Sequence, residues 1–423
     1  MMKFPLVVIG SQWGDEGKGK VIDILAKQAD LVVRFNGGNN AGHTVDVKGV
    51  KYKLSLLPSG VVQNKQLLIS QNVVINPKVL IQEIRLVKGQ GLKLRLKIDA
   101  RAHIVMPYHQ EMDAATESWK GKKATGSLHL GIGYCYEDKN NRFGIRLEDL
   151  IDKKLLKEKL DYFFPIKQRQ INLVYNYHSD MTVNQIYKEY VEYGKILKPY
   201  VDDVSEIVSQ NIHNKKILFE GAHGTFLDAA FGTYPYTTAV NTISGSVFPY
   251  VGFPPQKIYT LGVVKAYTTR VGNGPFPTEL SDKIGEQIRR AGGEFGTVSK
   301  RPRRCGWLDL PLVRTAHRLS GFDYLAITKL DVLSGLSQIK ICTHYVFDGK
   351  KTKTLPAQIA DFERCFPVYR EFAGWKEDIS QIKKFDDLPS NAKRYLKFIE
   401  KEIGVTAQLV FVGPERNQTI KIR

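Results

Sequence analysis

The chain has 423 residues, 43% hydrophobic and 25% charged, which is the balance of a globular protein able to bury one large core or several ordinary ones. No apolar run approaches the roughly 20 residues that span a bilayer. Cys135, Cys305, Cys342 and Cys365 are scattered without C-x-x-C spacing, which argues against a zinc site or a disulfide frame and points to a reducing cytoplasm. The net charge of +19 suits anionic substrates, but the lysines are spread along the chain and no nucleic-acid module is expected.

Residues 5–9 form a short β-branched run ended by Gly10, which predicts a buried strand. Gly14-Asp15-Glu16-Gly17-Lys18-Gly19-Lys20 follows as a loop, and residues 21–26 have helical periodicity. Strand, glycine loop and helix point backbone N–H groups and a helix dipole at an anion. The spacing fits G-x-x-x-x-G-K, except that Val21 stands where a phosphate loop needs Ser or Thr. Two carboxylates in such a loop repel phosphate unless one binds a metal or does chemistry. A second predicted strand, 31–33, leads into Arg34-Phe35-Asn36-Gly37-Gly38-Asn39-Asn40-Ala41-Gly42-His43-Thr44.

Alternation over 45–75 predicts hairpins laid on this first unit, 77–90 a helix stopped by Gly89 and Gly91, and 92–98 a half-exposed strand. His103 and His109 lack ligand spacing and read as structural. Residues 120–148 read as a glycine-punctuated basic loop, and 149–212 as a solvated helical layer. Strands at 217–220 and 258–264 then run into loops rich in Gly, Thr and Arg, the pattern of an α/β sheet whose site lies at the strand ends.

Arg301-Pro302-Arg303-Arg304 concentrates positive charge in a glycine-flanked stretch, which favours a clamp for carboxylates or phosphate over a plain solvated loop. A strand over 322–327 ends in Thr328-Lys329-Leu330-Asp331, close to the N/T-K-x-D motif whose aspartate accepts hydrogen bonds from guanine. Residues 409–414 supply a last strand and turn as a wall for the same base. The predicted fold is one α/β unit over 1–423, with a large, mostly parallel central sheet. Its first unit is a phosphate-loop-like strand, loop and helix, and helical and loop subdomains are inserted. Approximate subregions are 1–118, 119–214 and 215–423.

The runs Gly10 to Lys20 and Asn40 to Thr44, with Tyr136-Glu137-Asp138-Lys139, Phe219-Glu220-Gly221-Ala222 and Gly232-Thr233-Tyr234-Pro235-Tyr236, resemble those of adenylosuccinate synthetases over essentially the whole length. The resemblance implies a GTP-dependent, Mg²⁺-using ligase that joins IMP and L-aspartate through a 6-phosphoryl intermediate. It assigns Asp15 as base, His43 as acid and Lys18 as charge neutraliser, with Asp15 and the Gly42 carbonyl on the metal. GTP would meet Gly14, Glu16, Gly17, Lys18, Gly19, Gly42, His43, Thr44, Lys329, Asp331 and Gly413. IMP would meet Asp15, Asn40, Ser127, His223, Thr238, Val271 and Arg301, with Arg142 reaching across a homodimer interface. Aspartate would meet Thr297, Val298, Ser299, Arg301 and Arg303.

The chain departs from the family pattern around one substrate. Leu128 replaces a threonine expected at the 5′-phosphate, His223 a glutamine at the purine edge, Val298-Ser299-Lys300 a Thr-Thr-Gly stretch, and Phe411 a serine. These changes leave a second expectation open, a relative using another purine monophosphate such as dGMP, although retained Asp15 argues for IMP. A non-catalytic nucleotide sensor or RNA binder is the third reading, against which intact Asp15, Lys18 and His43 speak.

Overall fold

The computed structural model describes residues 2–47, 50–295 and 302–422, with the backbone alone at 43–47, 50 and 51. Its first unit has the predicted order, β1 (Leu6–Gly10), the glycine loop, α1 (Lys18–Ala26) and β2 (Leu31–Arg34), but the helix begins at Lys18, inside the stretch expected as loop. Among the described residues β1 lies inside a ten-stranded sheet. From one edge the order is Thr419–Lys421, Ala407–Phe411, Tyr324–Thr328, Tyr259–Lys265, β1, Ile217–Glu220, β2, Gln66–Ile69, Arg95–Asp99 and Val201–Asp202. Every pairing is parallel except that of the edge strand Thr419–Lys421.

Parallel strands covered on both faces need apolar residues on both sides. In β1, Val7 and Ile9 enter the core on one face, while Leu6 and Val8 enter the core on the other. The strand therefore reads as an unbroken hydrophobic run. Its carboxyl end and those of its neighbours open on one side of the sheet, where loops gather.

Three expectations change. The segment 45–75 holds one antiparallel hairpin, His43–Val47 with Val50–Leu54, and then Gln66–Ile69 joins the large sheet in parallel with β2. The basic loop at 120–148 contains the helix Ile132–Asn141, so Tyr136-Glu137-Asp138-Lys139 lies on a helix. The layer at 149–212 is more than a solvated face. Leu156, Leu160, Phe164, Ile186 and Leu197 are buried in the core, and Val201–Asp202 edges the sheet. His109 is structural as expected: Met106 N–H donates to its Nδ1, and its Nε2 lies 2.9 Å from Asp138 Oδ2. A smaller sheet, built on Gln338–Phe347 with Leu308–Asp309, Lys350–Thr352 and Phe366–Ala373, had no counterpart among the predicted elements.

Candidate active site

A cleft of about 700 Å³ opens over the carboxyl ends of β1, β2, Ile217–Glu220 and Tyr324–Thr328. Predicted site residues far apart in sequence line it together: Gly14, Asp15, Gly17, Lys18, Gly19, Asn40, Gly42, Ser127, His223, Thr238, Val271, Arg303 and Lys329. Lys20 lines it as well. The side chains of His43 and Thr44, and all of Thr297, Val298, Ser299, Lys300 and Arg301, lie outside the described residues.

The glycine loop divides its two acids. Glu16 is fully buried and turned inward, accepting hydrogen bonds from the N–H groups of Gln12 and Gly14, each at 3.0 Å, and from Lys18 Nζ at 2.7 Å. Its carboxylate is thus engaged within the loop. Asp15, in the left-handed region at φ 58°, instead projects to the cleft with its side chain 31% exposed. Gly17 caps α1 with φ 85° and has no side chain to occupy the helix N-terminus, leaving an anion site of N–H groups and dipole.

Close backbone approach makes this possible. A Cβ on Gly224 would stand 2.3 Å from Gly14 N and 2.5 Å from Glu16 Oε1, so the loop after Ile217–Glu220 packs on the first loop only with glycine there. Gln12 stitches the first loop to the next strand: its Nε2 donates to Tyr267 O at 2.8 Å, and Lys265 N–H donates to its Oε1 at 2.9 Å.

At the far wall, Arg303 Nε lies 2.8 Å from Asp15 Oδ2, and its Nη1 donates to Glu294 Oε2 at 2.8 Å. Glu294, which no motif singled out, is a buried hub. It also accepts from Lys265 at 3.0 Å, Lys329 at 2.9 Å and the Tyr267 hydroxyl. Burial alone would raise its pKa, but Lys265, Lys329, Arg303 and the Tyr267 bond outweigh that and hold it well below the carboxylate range. The available sequence signal was a lone glutamate opening the arginine-rich stretch, too weak to find it.

Several polar atoms lack hydrogen-bond partners among the described residues although they are buried at the cleft: Asn40 Oδ1, Thr238 Oγ1 and His223 Nε2. Such atoms carry a desolvation cost that a ligand relieves. His223 is kept neutral, its pKa pulled down to about 3 by burial and then by the charges of Lys18 and Arg34. Ser127 differs. Its hydroxyl donates to Asp113 Oδ2 at 2.8 Å and accepts from His129 N–H at 3.2 Å, and its N–H donates to Glu117 at 3.1 Å. These groups already have partners within the protein, although Ser127 lines the cleft.

Beside the cleft, Lys20 Nζ donates to Gly413 O at 2.5 Å and lies 4.8 Å from the centre of the Phe411 ring. Burial lowers its pKa to about 8, with Asp331 the strongest opposing charge. Asp331 Oδ1 is buried without a partner among the described residues, and burial raises its pKa. The predicted base-reading residues Asp331 and Gly413 thus come together around Lys20. Arg142 sits apart, exposed at the end of the helix Ile132–Asn141 and absent from the cleft lining.

The adenylosuccinate synthetase family profile matches residues 7–420. An adenylosuccinate synthetase of Thermoanaerobacter sp. (strain X514) is 49% identical over 422 residues, covering 99% of each chain. One from Clostridium acetobutylicum is 48% identical over 422 residues, covering 98% of each. The structure of fully ligated adenylosuccinate synthetase from Plasmodium falciparum matches with a TM-score of 0.94 at 40% identity, over 99% of both chains. Succinoaminodeoxyadenylate synthetase of cyanophage S-2L, bound to dGMP and dATP, matches with a TM-score of 0.62 at 17% identity, covering 98% of this chain and 94% of that one. That likeness is of fold alone, so the dGMP alternative is not favoured. The chain belongs to the adenylosuccinate synthetase family, the GTP-dependent ligases that join IMP and L-aspartate in AMP synthesis.

Proposed function

We propose that the cleft performs this ligation with Asp15 as general base. Asp15 takes the N1 proton of IMP, which makes the 6-oxygen nucleophilic. That oxygen attacks the γ-phosphorus of GTP, GDP departs, and 6-phosphoryl-IMP forms. The amine of L-aspartate then adds at C6 and phosphate leaves. Lys18 and the α1 N-terminus offset charge on the transferring group, and His43 hydrogen-bonds the phosphoryl or leaving oxygen.

Asn40 and Thr238 hold the 5′-phosphate, joined by Arg142 of the partner subunit in a homodimer. His223 offers its neutral ring to the purine edge, beside Val271. The segment from Thr297 to Arg303, including Arg301, holds the carboxylates of aspartate, and Lys329, Asp331 and Gly413 frame guanine. Asp15, whose carboxylate is partly exposed, and Gly42, through its carbonyl, would hold Mg²⁺, since both supply the hard oxygens that ion takes. When bound, the ion would neutralise charge on the nucleotide oxygens.

The observation that carries this reading is the gathering of unpartnered polar atoms from Asn40, Thr238 and His223 in the cleft that Asp15 faces. An ultraviolet difference spectrum with Mg²⁺, GTP and L-aspartate tests it. Adenylosuccinate should accumulate on addition of IMP and not without it, and EDTA should stop turnover. Sedimentation should give twice the 47.9 kDa chain mass. Failure to consume IMP under these conditions overturns the assignment.

A further inference from the structure

The loop of residues 125–131 lines the cleft and lies outside any strand or helix, with Gly131 at its end capping the helix Ile132–Asn141. Gly126, His129 and Gly131 all have positive φ, at 84°, 55° and 71°, so the chain turns through conformations that L-residues avoid. Something outside the loop has to hold it. The holders are Asp113 and Glu117, one helical turn apart on the helix Pro107–Lys120 and therefore on one face.

Glu117 accepts from three consecutive N–H groups, Thr125 at 3.2 Å, Gly126 at 2.8 Å and Ser127 at 3.1 Å, and from the Thr125 hydroxyl at 2.7 Å. Convergent N–H groups of this kind make an anion nest. Here the protein's own carboxylate fills it, with Lys120 Nζ at 3.3 Å. Asp113 Oδ2 accepts from the Ser127 hydroxyl at 2.8 Å and from Gly131 N–H at 3.0 Å, fixing the other end of the loop. A Cβ at Gly131 would stand 2.7 Å from the backbone of His109, so the loop is also pressed against its supporting helix. Burial of Glu117 opposes its ionisation, but the bonds from Thr125, Gly126 and Ser127 hold its pKa down to about 2.

We infer that Asp113 and Glu117 are positioning residues for the IMP side of the cleft, using two carboxylates to shape the 125–131 wall before any substrate phosphate arrives. Ser127 acts through this latch and not by touching the nucleotide. The arrangement also sets Leu128 and Leu130 into the lining. The 5′-phosphate is left to Asn40 and Thr238. This rests on the proposed binding of IMP.

Steady-state kinetics of Glu117→Ala, with each substrate varied in turn, test the inference. KM for IMP should rise at least about tenfold, the scale of one lost charge-assisted hydrogen bond, while kcat and KM for GTP stay near wild type. Added acetate or formate should refill the nest and lower KM for IMP again, which a merely structural defect would not allow. Asp113→Asn, which keeps the shape, should show a smaller rise in the same constant and serves if Glu117→Ala does not fold. An unchanged KM for IMP in both variants overturns the inference. So does a lower one in Glu117→Ala, which would make the carboxylate a competitor of phosphate. Wild-type enzyme that does not turn over IMP would instead remove the underlying substrate assignment.

Discussion

Arg303 Nε and Asp15 Oδ2 stand 2.8 Å apart, so the proposed general base is held by an arginine of the proposed aspartate loop. The same arginine grips buried Glu294, so the base is tied through it to a buried carboxylate. Asp15→Asn should lower kcat by about 10²–10⁴-fold, the range of general-base catalysis, while leaving IMP binding measurable by calorimetry. A variant with near-normal kcat would remove Asp15 from that role. Arg303→Lys keeps the charge but loses the planar fork, and its KM for aspartate should rise more than its KM for GTP.

Glu294 neutralises buried cations, so its loss leaves Lys265, itself buried, without its carboxylate. Glu294→Gln should destabilise the protein by about 3–5 kcal/mol in urea unfolding. Because its folded pKa lies below the unfolded value, the wild-type contribution is present above about pH 4.3 and fades as pH falls further. The variant should lack that acid-dependent part.

His223 has a folded pKa of about 3 against an ordinary 6.5, through burial first and nearby charge second. Between those values the unfolded chain binds the extra proton, so stability rises with pH across the window and is complete above about 6.5. His223→Gln should flatten the melting temperature between pH 4.5 and 6.5 while retaining turnover within a few-fold. No kinetic pKa near neutrality should depend on this residue.

Arg416 forks onto Asp23 of α1, with Nη2 2.6 Å from Oδ1, and Lys20 of the same helix donates to Gly413 O. The helix that offers its N-terminus to phosphate thereby also holds the wall proposed for guanine. Arg416→Ala should raise KM for GTP about tenfold, or about 1.4 kcal/mol, with KM for IMP unchanged. Parallel increases in all the KM values would mean general loosening instead.

Gly224→Ala should cost about 1–3 kcal/mol and weaken GTP binding, because its Cβ falls 2.3 Å from Gly14 N at the contact between two site loops. A melting temperature equal to wild type would show that the loops can separate freely.

Much of the site was legible in local sequence. Residues 5–26 carry the strand, the turning glycines and the helix within one short stretch, and the structure keeps that order. The strands predicted at 31–33, 217–220, 258–264 and 322–327 were equally plain, because parallel strands buried on both faces are continuous apolar runs. The direction of a polar side chain was not legible. Asp15 and Glu16 are neighbours of one chemistry, yet one faces the cleft and the other lies under the loop with Lys18. Nor did spacing suggest that Ser127 would be occupied by Asp113 and Glu117.

The sequence by itself determined the α/β class and the phosphate-loop-like first unit, because strand and helix periodicity and glycine turns follow from the sterics of near neighbours. The tertiary structure alone decided which charges meet. Lys265, Arg303 and Lys329 converge on buried Glu294, and Arg416 reaches Asp23 across 393 positions of chain. Such partners are chosen by how the sheet and its loops pack, because a buried charge is tolerated only where the fold brings it an opposite one.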